Sequence, residues 1–359
     1  MRKVLKIVGT VFGVLVIAVL VRVIYLVVDY DILRSTEREF AGHCVTLIGA
    51  EGNEDITIDH VNAIGYVSAT DRLGLTSGEQ DGIYQLDLTN APDANTELQQ
   101  LPISGLDILH PHGIDLWRLD DGTVRLFVVN HTNTGSSVEI FDVKENVLVH
   151  RRTVRDPLIF APNDVAAVGP NSFYVTNDQP SVEQTPEDIW DELWGFFRGV
   201  DPSTVVFLND EEARIVADDL IRANGIDASA DANEIYVNES LGQATRLYTR
   251  AANNDLVLKE TISFRGAPDN LAVAPDGSIY VASQADIREI ITGFMRKDVS
   301  RVPSEVTKII PAAEGARVED IYTDDGTEIS FLTSAVPFDG NKFVLGAAFG
   351  NKIVVCEEE

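Results

Sequence analysis

A repeating unit of strand, turn and strand extends over most of this 359-residue chain. Each unit opens on a polar side chain, continues into a short strand rich in Val, Ile and Ala, and returns through a second strand that carries an aromatic residue. The units start at Glu54, His112, Asn163, Asn224, Asn270 and near Thr333 and Ser334. These starts lie 46 to 64 residues apart, with a mean near 56. Four-stranded repeats of roughly this length are typical of β-propellers.

The number of units predicts the architecture. A two-sheet sandwich or a pair of β domains would not require a polar group at the head of every unit. Six units fit the chain after the N-terminal segment, so we predict an all-β, six-bladed β-propeller over residues 35–359. Sustained helical periodicity is scarce beyond about residue 40, and the one helical candidate there is residues 187–197, placed in a loop.

Charge excludes one class of partner. The chain has 28 Lys and Arg residues against 57 Asp and Glu residues, a formal net charge of −29. Nucleic-acid binding relies on a basic surface that contacts phosphates, so no nucleic-acid partner is expected. The acidic excess fits either a self-repelling soluble surface or a protein that concentrates cations.

The first 34 residues read as a membrane segment. Residues 7–28 are apolar except for Arg22, and about 20 such residues span a bilayer as a helix. An apolar region this long exceeds that of a cleaved signal peptide, so we predict an uncleaved signal anchor, a transmembrane helix over about 7–28 within a first domain of residues 1–34. Three basic residues precede it, Arg2, Lys3 and Lys6. Positive charge stays cytoplasmic, which predicts a membrane-anchored protein whose large domain is lumenal or extracellular.

The two cysteines, Cys44 and Cys356, lie near the two ends of the predicted propeller. In a reducing compartment they would be incidental, whereas in an oxidising one they would join the first and last elements. A sequon at Asn238 predicts a glycan on a lumenal or extracellular domain. A second sequon, at Asn130, overlaps the candidate site described next, and we expect it to be unglycosylated.

Oxygen-bearing side chains recur at the head of the units. In a propeller the innermost strands line a central channel, so these side chains converge. They are Glu54, His112, Asn163, Asn224 and Asn270, with Asp55, Asp164 and Asp269 beside them. Any single Asn-Asp pair is more simply explained as a turn. Their recurrence in phase with the repeat instead predicts Ca²⁺ binding, because Ca²⁺ takes six to eight hard oxygen ligands, whereas zinc prefers thiolate and imidazole.

Two histidines fall on neighbouring strands of one predicted blade. His112 and His131 could act together, since one neutral imidazole takes a proton from water while the other fixes its tautomer. Taken alone, such a strand pair is more often structural. The sequence suggests no comparable partner for the other four, His43, His60, His110 and His150.

Five segments in order carry a family resemblance: HPHGI, FVVNHTNTGSSVEIF, APNDVAAVGPNSFYVTND, ANGIDAS and PDNLAVAPDG. With cysteines near both ends, they resemble the serum paraoxonase/arylesterase family of calcium-dependent lactonases over most of residues 44–356. The resemblance implies a six-bladed propeller with two calcium ions in its central tunnel. It also implies a retained N-terminal hydrophobic segment associated with membrane or lipoprotein.

The resemblance assigns roles by position. Ligands of a catalytic calcium would be Glu54, Asn163, Asn224, Asp269 and Asn270. Ligands of a structural calcium would be Asp55, Asp164 and the Ile114 carbonyl. His112 and His131 match the histidine pair proposed to activate water, and Cys44 with Cys356 match the family disulfide. The chain departs from the pattern at Ser283, at Gln284 and over residues 293–319, which affects substrate preference.

The function expected from this resemblance is calcium-dependent hydrolysis of small lactones and aryl esters, with Ca²⁺ polarising the carbonyl group. No Gly-x-Ser-x-Gly motif occurs, which disfavours a serine esterase. The alternatives are a strictosidine-synthase-like or gluconolactonase-like enzyme of related fold, and a non-catalytic propeller scaffold in which calcium fixes the blades.

Overall fold

A computed structural model describes residues 2–30, 34–72, 80–90, 92–179, 202–296, 298–312 and 314–359. The helical candidate at 187–197 lies outside these residues. Six sheets form the blades, and their strands pair antiparallel except for one short edge strand in the second sheet. The predicted six-bladed β-propeller is confirmed.

The first three blades each begin near a predicted polar start. Blade 1 contains β2 Asn53–Asp59, β3 Ile64–Ala69, β4 Gly82–Asp87 and β5 Gln99–Gln100. Blade 2 contains β7 Pro111–Arg118, β8 Val124–Thr132, β9 Gly135–Lys144 and β10 Val147–Val154, with β6 Ile103–Ser104 added parallel to β10. Blade 3 contains β11 Pro162–Gly169, β12 Ser172–Asn177, β13 Pro202–Leu208 and β14 Ala213–Ile221.

The last three blades continue the order. Blade 4 contains β15 Ala223–Ala228, β16 Glu234–Glu239, β17 Ala244–Arg250 and β18 Leu256–Ser263. Blade 5 contains β19 Ala267–Val273, β20 Ile279–Gln284, β21 Ser304–Ile310 and β22 Arg317–Asp324. Blade 6 contains β23 Leu332–Phe338, β24 Lys342–Ala347, β25 Lys352–Glu358 and, from the start of the propeller domain, β1 Gly42–Ile48.

Blade 6 closes the ring by joining both ends of the chain. β1 pairs antiparallel with β25 in a register that sets Cys44 opposite Cys356, and the two form a disulfide. A closed ring of blades leaves only short, protected sheet edges, which is how propellers avoid edge-to-edge association. The Cys44–Cys356 disulfide expected in an oxidising environment is therefore present in the fold.

The core lies between the blades. The aromatic residue of each second strand is buried at an equivalent place, as with Tyr174, Tyr236 and Tyr280, all 2% exposed or less. Neighbouring blades share apolar clusters around these side chains. The period of the aromatic residue in the sequence thus reflects one packing contact repeated around the ring.

In the part of the chain that the structure describes, two helices accompany the propeller. The helix predicted for the N-terminal segment is present as α1, Arg2–Asp29, longer than the predicted 7–28. Leu26 and Tyr30, at its end, pack on blade 5, and the Tyr30 hydroxyl donates to the Leu241 carbonyl oxygen at 2.6 Å.

None of the helices in the described residues is both long enough and apolar enough to cross a bilayer. The transmembrane nature of α1 stays a prediction.

The second helix, α2 Ile287–Arg296, was not predicted. Its first turn is capped by Asp286, whose Oδ1 accepts hydrogen bonds from the backbone N–H groups of Arg288 and Glu289. Asp at the N-cap with Glu289 three residues later is a capping-box pattern that the sequence did offer. The ten-residue helix is too short to produce a clear periodicity, so the strand signals on either side obscured it.

Candidate metal centre and active-site pocket

The predicted calcium ligands of the first site converge at the heads of the inner strands. Asn270 Nδ2 lies 3.3 Å from Glu54 Oε1, which joins blade 5 to blade 1. The Thr333 hydroxyl of blade 6 donates to the Glu54 carbonyl oxygen at 2.6 Å. Asn224 of blade 4 lies close enough to the Asp269 carboxylate of blade 5 to lower its pKa. Residues more than 200 positions apart therefore meet at one end of the central tunnel.

Several side-chain oxygens at this convergence point are buried and have no hydrogen-bond partner among the described residues. They include Glu54 Oε2, Asn163 Oδ1, Asn224 Oδ1 and Asn270 Oδ1, four of the five predicted ligands of the catalytic calcium. Buried polar atoms are almost always satisfied, so four unsatisfied acceptors at one place indicate a missing positive partner. All four belong to residues that the sequence analysis assigns to the catalytic calcium.

Contacts of the side-chain NH₂ groups orient two of the candidate amide ligands. Asn224 Nδ2 lies 3.0 Å from the Ser240 hydroxyl, and Asn270 Nδ2 faces Glu54. Because each NH₂ group is held by a protein acceptor, the carbonyl end of the amide remains for a cation. The structure thus prearranges oxygen atoms, which are the ligands that Ca²⁺ prefers.

Two carboxylates contribute to the same place. Burial and the nearby charge of Glu54 raise the pKa of Asp269 to about 8, although a hydrogen bond from Gln284 Nε2 at 2.7 Å opposes the rise. Burial would raise the pKa of Glu54 as well, but His112 and Arg72 more than offset it and hold that pKa at about 2. A divalent cation bound by both carboxylates would offset their mutual repulsion.

The donor set is one of hard oxygens. Within the described part of the chain, no group of three or more His, Cys, Asp and Glu side chains is placed to hold a metal ion. The candidate ligands are instead three amides and two carboxylates, which suits calcium and not zinc or a redox metal. The residues present fit the calcium ion that the resemblance implies.

The residues predicted for a second, structural calcium lie deeper in the tunnel. Asp55 Oδ2 accepts the backbone N–H of Ile114 at 2.7 Å, and Asp164 Oδ2 accepts that of Ile226 at 2.8 Å. Burial raises the pKa of both carboxyls well above the usual range, and a nearby negative charge adds to the rise in each. Each carboxylate oxygen keeps a further lone pair for a cation, so this pair also fits a calcium ligand role.

Two tunnel carboxylates were missed. Asp115 Oδ2 accepts the Ala167 N–H, and Asp227 Oδ2 accepts the Val273 N–H, each linking one blade to the next. The signal was in the sequence, because His-Gly-Ile-Asp and Asn-Gly-Ile-Asp place an Asp three residues after two of the predicted unit starts. These residues line a cavity of about 480 Å³ at the other end of the tunnel.

The two predicted active-site histidines are in contact. His112 Nδ1 lies 2.9 Å from His131 Nε2, and His112 Nε2 lies 3.3 Å from Glu54 Oε1. His131 Nδ1 lies 3.0 Å from the Ser136 hydroxyl. Burial, aided by the neighbouring His112 and Arg72, lowers the pKa of His131 to about 3. His131 is therefore neutral near pH 7, the form that can relay a proton.

Two of the other histidines pair with carboxylates and not with a second histidine. His110 Nδ1 lies 2.6 Å from Asp81 Oδ2, and His150 Nε2 lies 2.8 Å from Glu139 Oε2. Asp81 and Glu139 lie on different strands or connections from the histidines they contact. A local sequence pattern could therefore not predict these two pairs. His110 stands at the pocket wall, whereas the buried Glu139 also accepts from the hydroxyls of Ser137 and Thr153.

The two sequons are both buried in strands. Asn238 is fully buried, with Nδ2 donating to the Asp269 carbonyl oxygen at 2.7 Å and Oδ1 accepting from the Thr245 hydroxyl. A glycan on Nδ2 would break the first bond, so the structure opposes the glycosylation predicted there. Asn130 is 1% exposed, and its Oδ1 accepts the His110 N–H, which agrees with the expectation of no glycan. Asn238 instead supports the strand segment that carries Asp269.

A cavity of about 870 Å³ opens beside the convergence point. Its walls include His112, His131 and Arg72, with apolar surface from Phe160 and Pro162. A volume of this size accommodates a small ester or lactone. Arg72 was not singled out from the sequence.

Comparisons with known proteins agree with this arrangement. The family model described as Arylesterase matches residues 38–357. The chain is 32% identical over 327 residues to serum paraoxonase/arylesterase 2 of Gallus gallus, covering 88% of each. It is 29% identical over 335 residues to serum paraoxonase/arylesterase 1 of Homo sapiens, covering 90% of this chain and 91% of that protein.

Solved structures support the fold. A luciferin-regenerating enzyme superposes with a TM-score of 0.55 at 13% identity, covering 88% of this chain and 95% of that one. A calcium-binding protein, regucalcin, of Agrobacterium tumefaciens gives a TM-score of 0.52 at 12% identity, covering 91% and 98%. The family model extends across the whole propeller, including both cysteines and every candidate ligand, and the chain therefore belongs to the arylesterase family.

Proposed function

We propose that this chain is a calcium-dependent hydrolase of lactones and aryl esters. The observation that carries the proposal is the group of four unpartnered buried oxygens beside the His112–His131 pair. Membership of the arylesterase family supports hydrolysis of esters, and the chemistry of the donor set supports calcium.

The residues of the site have separate proposed roles. Glu54, Asp269 and the three amides would hold one calcium ion, which when bound polarises the carbonyl group of the substrate. His112 is placed to take a proton from an attacking water, and His131 fixes its orientation through the 2.9 Å contact. Gln284 donates to both Asp269 Oδ2 and the Leu332 carbonyl oxygen, which keeps that carboxylate turned toward the site. Asp55 and Asp164 would hold a second ion that ties the inner strands together.

The test is hydrolysis of γ- and δ-lactones and phenyl acetate by the purified full chain with calcium, after chelation and after calcium is restored. Activity that disappears on chelation and returns with calcium is the expected result. A protein that melts at a higher temperature with calcium but hydrolyses nothing would overturn the proposal and favour a propeller scaffold.

We further propose that α1 anchors the protein in a membrane, with the propeller on the lumenal or extracellular side. The apolar run of residues 7–28, the basic residues before it and the Cys44–Cys356 disulfide support this placement. The full chain should sediment with membranes and resist extraction at alkaline pH, and its propeller should resist protease until the vesicles are opened. Release by alkaline extraction would contradict the anchor.

A further inference from the structure

Arg72 enters the active-site cavity from the connection that follows β3. Of the described residues that line this cavity, it is the one lysine or arginine. Its side chain is 23% exposed, and it is close enough to act electrostatically on Glu54, His131 and Asp269. A permanent positive charge therefore stands beside the histidine pair and the candidate metal ligands.

The guanidinium group of Arg72 has hydrogen-bonding capacity that the described residues do not satisfy. Arg72 Nη1 is buried, and none of the residues that the structure describes offers it a hydrogen-bond acceptor. Nη2 lies 3.7 Å from Glu54 Oε2, beyond hydrogen-bond distance, and that oxygen is also unpartnered. Structural arginines in this chain are satisfied differently, as with Arg246, whose Nε donates to Glu239 Oε2 at 2.6 Å. A buried guanidinium N–H without an acceptor is costly to fold and is suited to an acceptor that arrives with a ligand.

Glu54 Oε2 lies 3.7 Å from Arg72 Nη2, so this candidate calcium ligand offsets part of the repulsion between the guanidinium and a bound cation. It does not supply an acceptor for Arg72 Nη1. The Asp81 carboxylate at the cavity wall contacts His110 and accepts the Asp71 N–H. A further anion that could contact both Arg72 and a bound cation is the one that ester hydrolysis creates.

We propose that Arg72 is a catalytic residue that donates hydrogen bonds to the oxyanion formed when water attacks the substrate carbonyl. The inference rests on the proposed function. In that step the water oxygen bonds to the carbonyl carbon, its proton passes to His112, and the carbonyl π pair becomes a lone pair on oxygen. When the oxyanion collapses, the ester C–O bond breaks and the leaving oxygen takes the proton back. The resulting acid ionises to a carboxylate, which Arg72 also binds.

The test compares Arg72→Gln and Arg72→Lys with the wild-type full chain, and uses Arg317→Gln, an exposed arginine of blade 5, as the matched control. We measure kcat and KM for a γ-lactone and phenyl acetate, inhibition by the corresponding hydroxy acid and by acetate, and calcium affinity from the rise in melting temperature. For Arg72→Gln, kcat should fall about 10²- to 10³-fold with KM changed less than about threefold, as for the loss of one oxyanion donor.

Three further results are expected. Arg72→Lys should retain more activity than Arg72→Gln, carboxylate inhibition should weaken about tenfold or more in Arg72→Gln, and calcium affinity should stay equal or rise. The last readout separates a catalytic residue from one that merely positions Glu54. If calcium affinity falls and excess calcium restores kcat, Arg72 acts through Glu54 and the inference is overturned. An unchanged kcat with normal wild-type activity overturns the inference alone, whereas a wild-type chain that hydrolyses neither substrate overturns the proposed function as well.

Discussion

His112 Nδ1 lies 2.9 Å from His131 Nε2, and the other nitrogen of His112 faces Glu54 Oε1 at 3.3 Å. A line of polar atoms thus runs from the Ser136 hydroxyl through both rings to a candidate metal ligand. Because burial and the neighbouring Arg72 and His112 lower the pKa of His131 to about 3, the His131 ring orients His112 without competing for protons near pH 7.

The first prediction concerns this pair. His112→Gln should lower kcat for lactones about 10²- to 10⁴-fold, since a general base contributes about that much. His43→Gln, on an exposed imidazole of β1 that is 72% exposed, is the matched control and should leave kcat unchanged. Steady-state kinetics at saturating calcium measures both. Full turnover by His112→Gln would assign the base role to a carboxylate, with Asp269 and Glu54 as the candidates.

The second prediction concerns calcium. Glu54→Gln replaces a charged ligand by a neutral one, so calcium affinity should fall about tenfold or more, because affinity depends on the ligand charge count. Glu357→Gln, a half-exposed residue of β25, is the control of identical chemistry. Calorimetric titration of chelated protein gives the affinities. Equal affinity in wild type and Glu54→Gln would remove Glu54 from the ligand set.

Repetition explains why much of this site could be predicted from the sequence. Asn163 and Asn224 each begin an inner strand, so the period that reveals the blades also reveals the residues that face the axis. One repeating pattern in the sequence therefore predicts both the propeller fold and the candidate ligands of the catalytic calcium. Asp115 and Asp227 belong to the same pattern and could have been found by extending it three residues.

Residues off the repeat could not be predicted in this way. Arg72 and Asp81 lie in a single connection of blade 1, and their contacts with Glu54 and His110 depend on tertiary structure. Asn238 shows the opposite error, since its sequon is a local motif that says nothing about burial. Its place in a second strand, where neighbouring residues are buried on both faces, decides against glycosylation.

The third prediction concerns the closing disulfide. The Cys44–Cys356 bond joins residues 312 positions apart, so it removes a large amount of conformational freedom from the unfolded chain. The double substitution to Ser should lower the free energy of unfolding by roughly 5 kcal/mol on a loop-entropy basis. Urea denaturation with calcium present measures the change, and reduction of the wild-type protein should reproduce it. A loss below about 1 kcal/mol would mean that the β1–β25 pairing closes the ring without the bond.

The fourth prediction concerns Glu305, a buried carboxyl on β21. Burial and the neighbouring Asp320 raise its pKa from 4.5 to about 7, although Arg34 Nη1, 3.1 Å from Oε2, opposes the rise. A carboxyl with a raised folded-state pKa binds more protons in the folded state, so its stabilisation is complete below about pH 4.5 and is lost as pH rises through 7. The loss amounts to about 3 kcal/mol.

Glu305→Gln removes this titration and keeps the shape of the side chain. Between pH 4.5 and pH 8, the free energy of unfolding of Glu305→Gln should therefore decrease by about 3 kcal/mol less than that of the wild-type protein. Glu319→Gln, a more exposed residue of the adjacent strand β22, is the matched control and should follow the wild-type curve. Urea titrations at several pH values, with calcium saturating throughout, provide the comparison. Parallel curves for wild type and Glu305→Gln would mean that the Arg34 contact, which anchors the segment after α1, holds Glu305 ionised throughout.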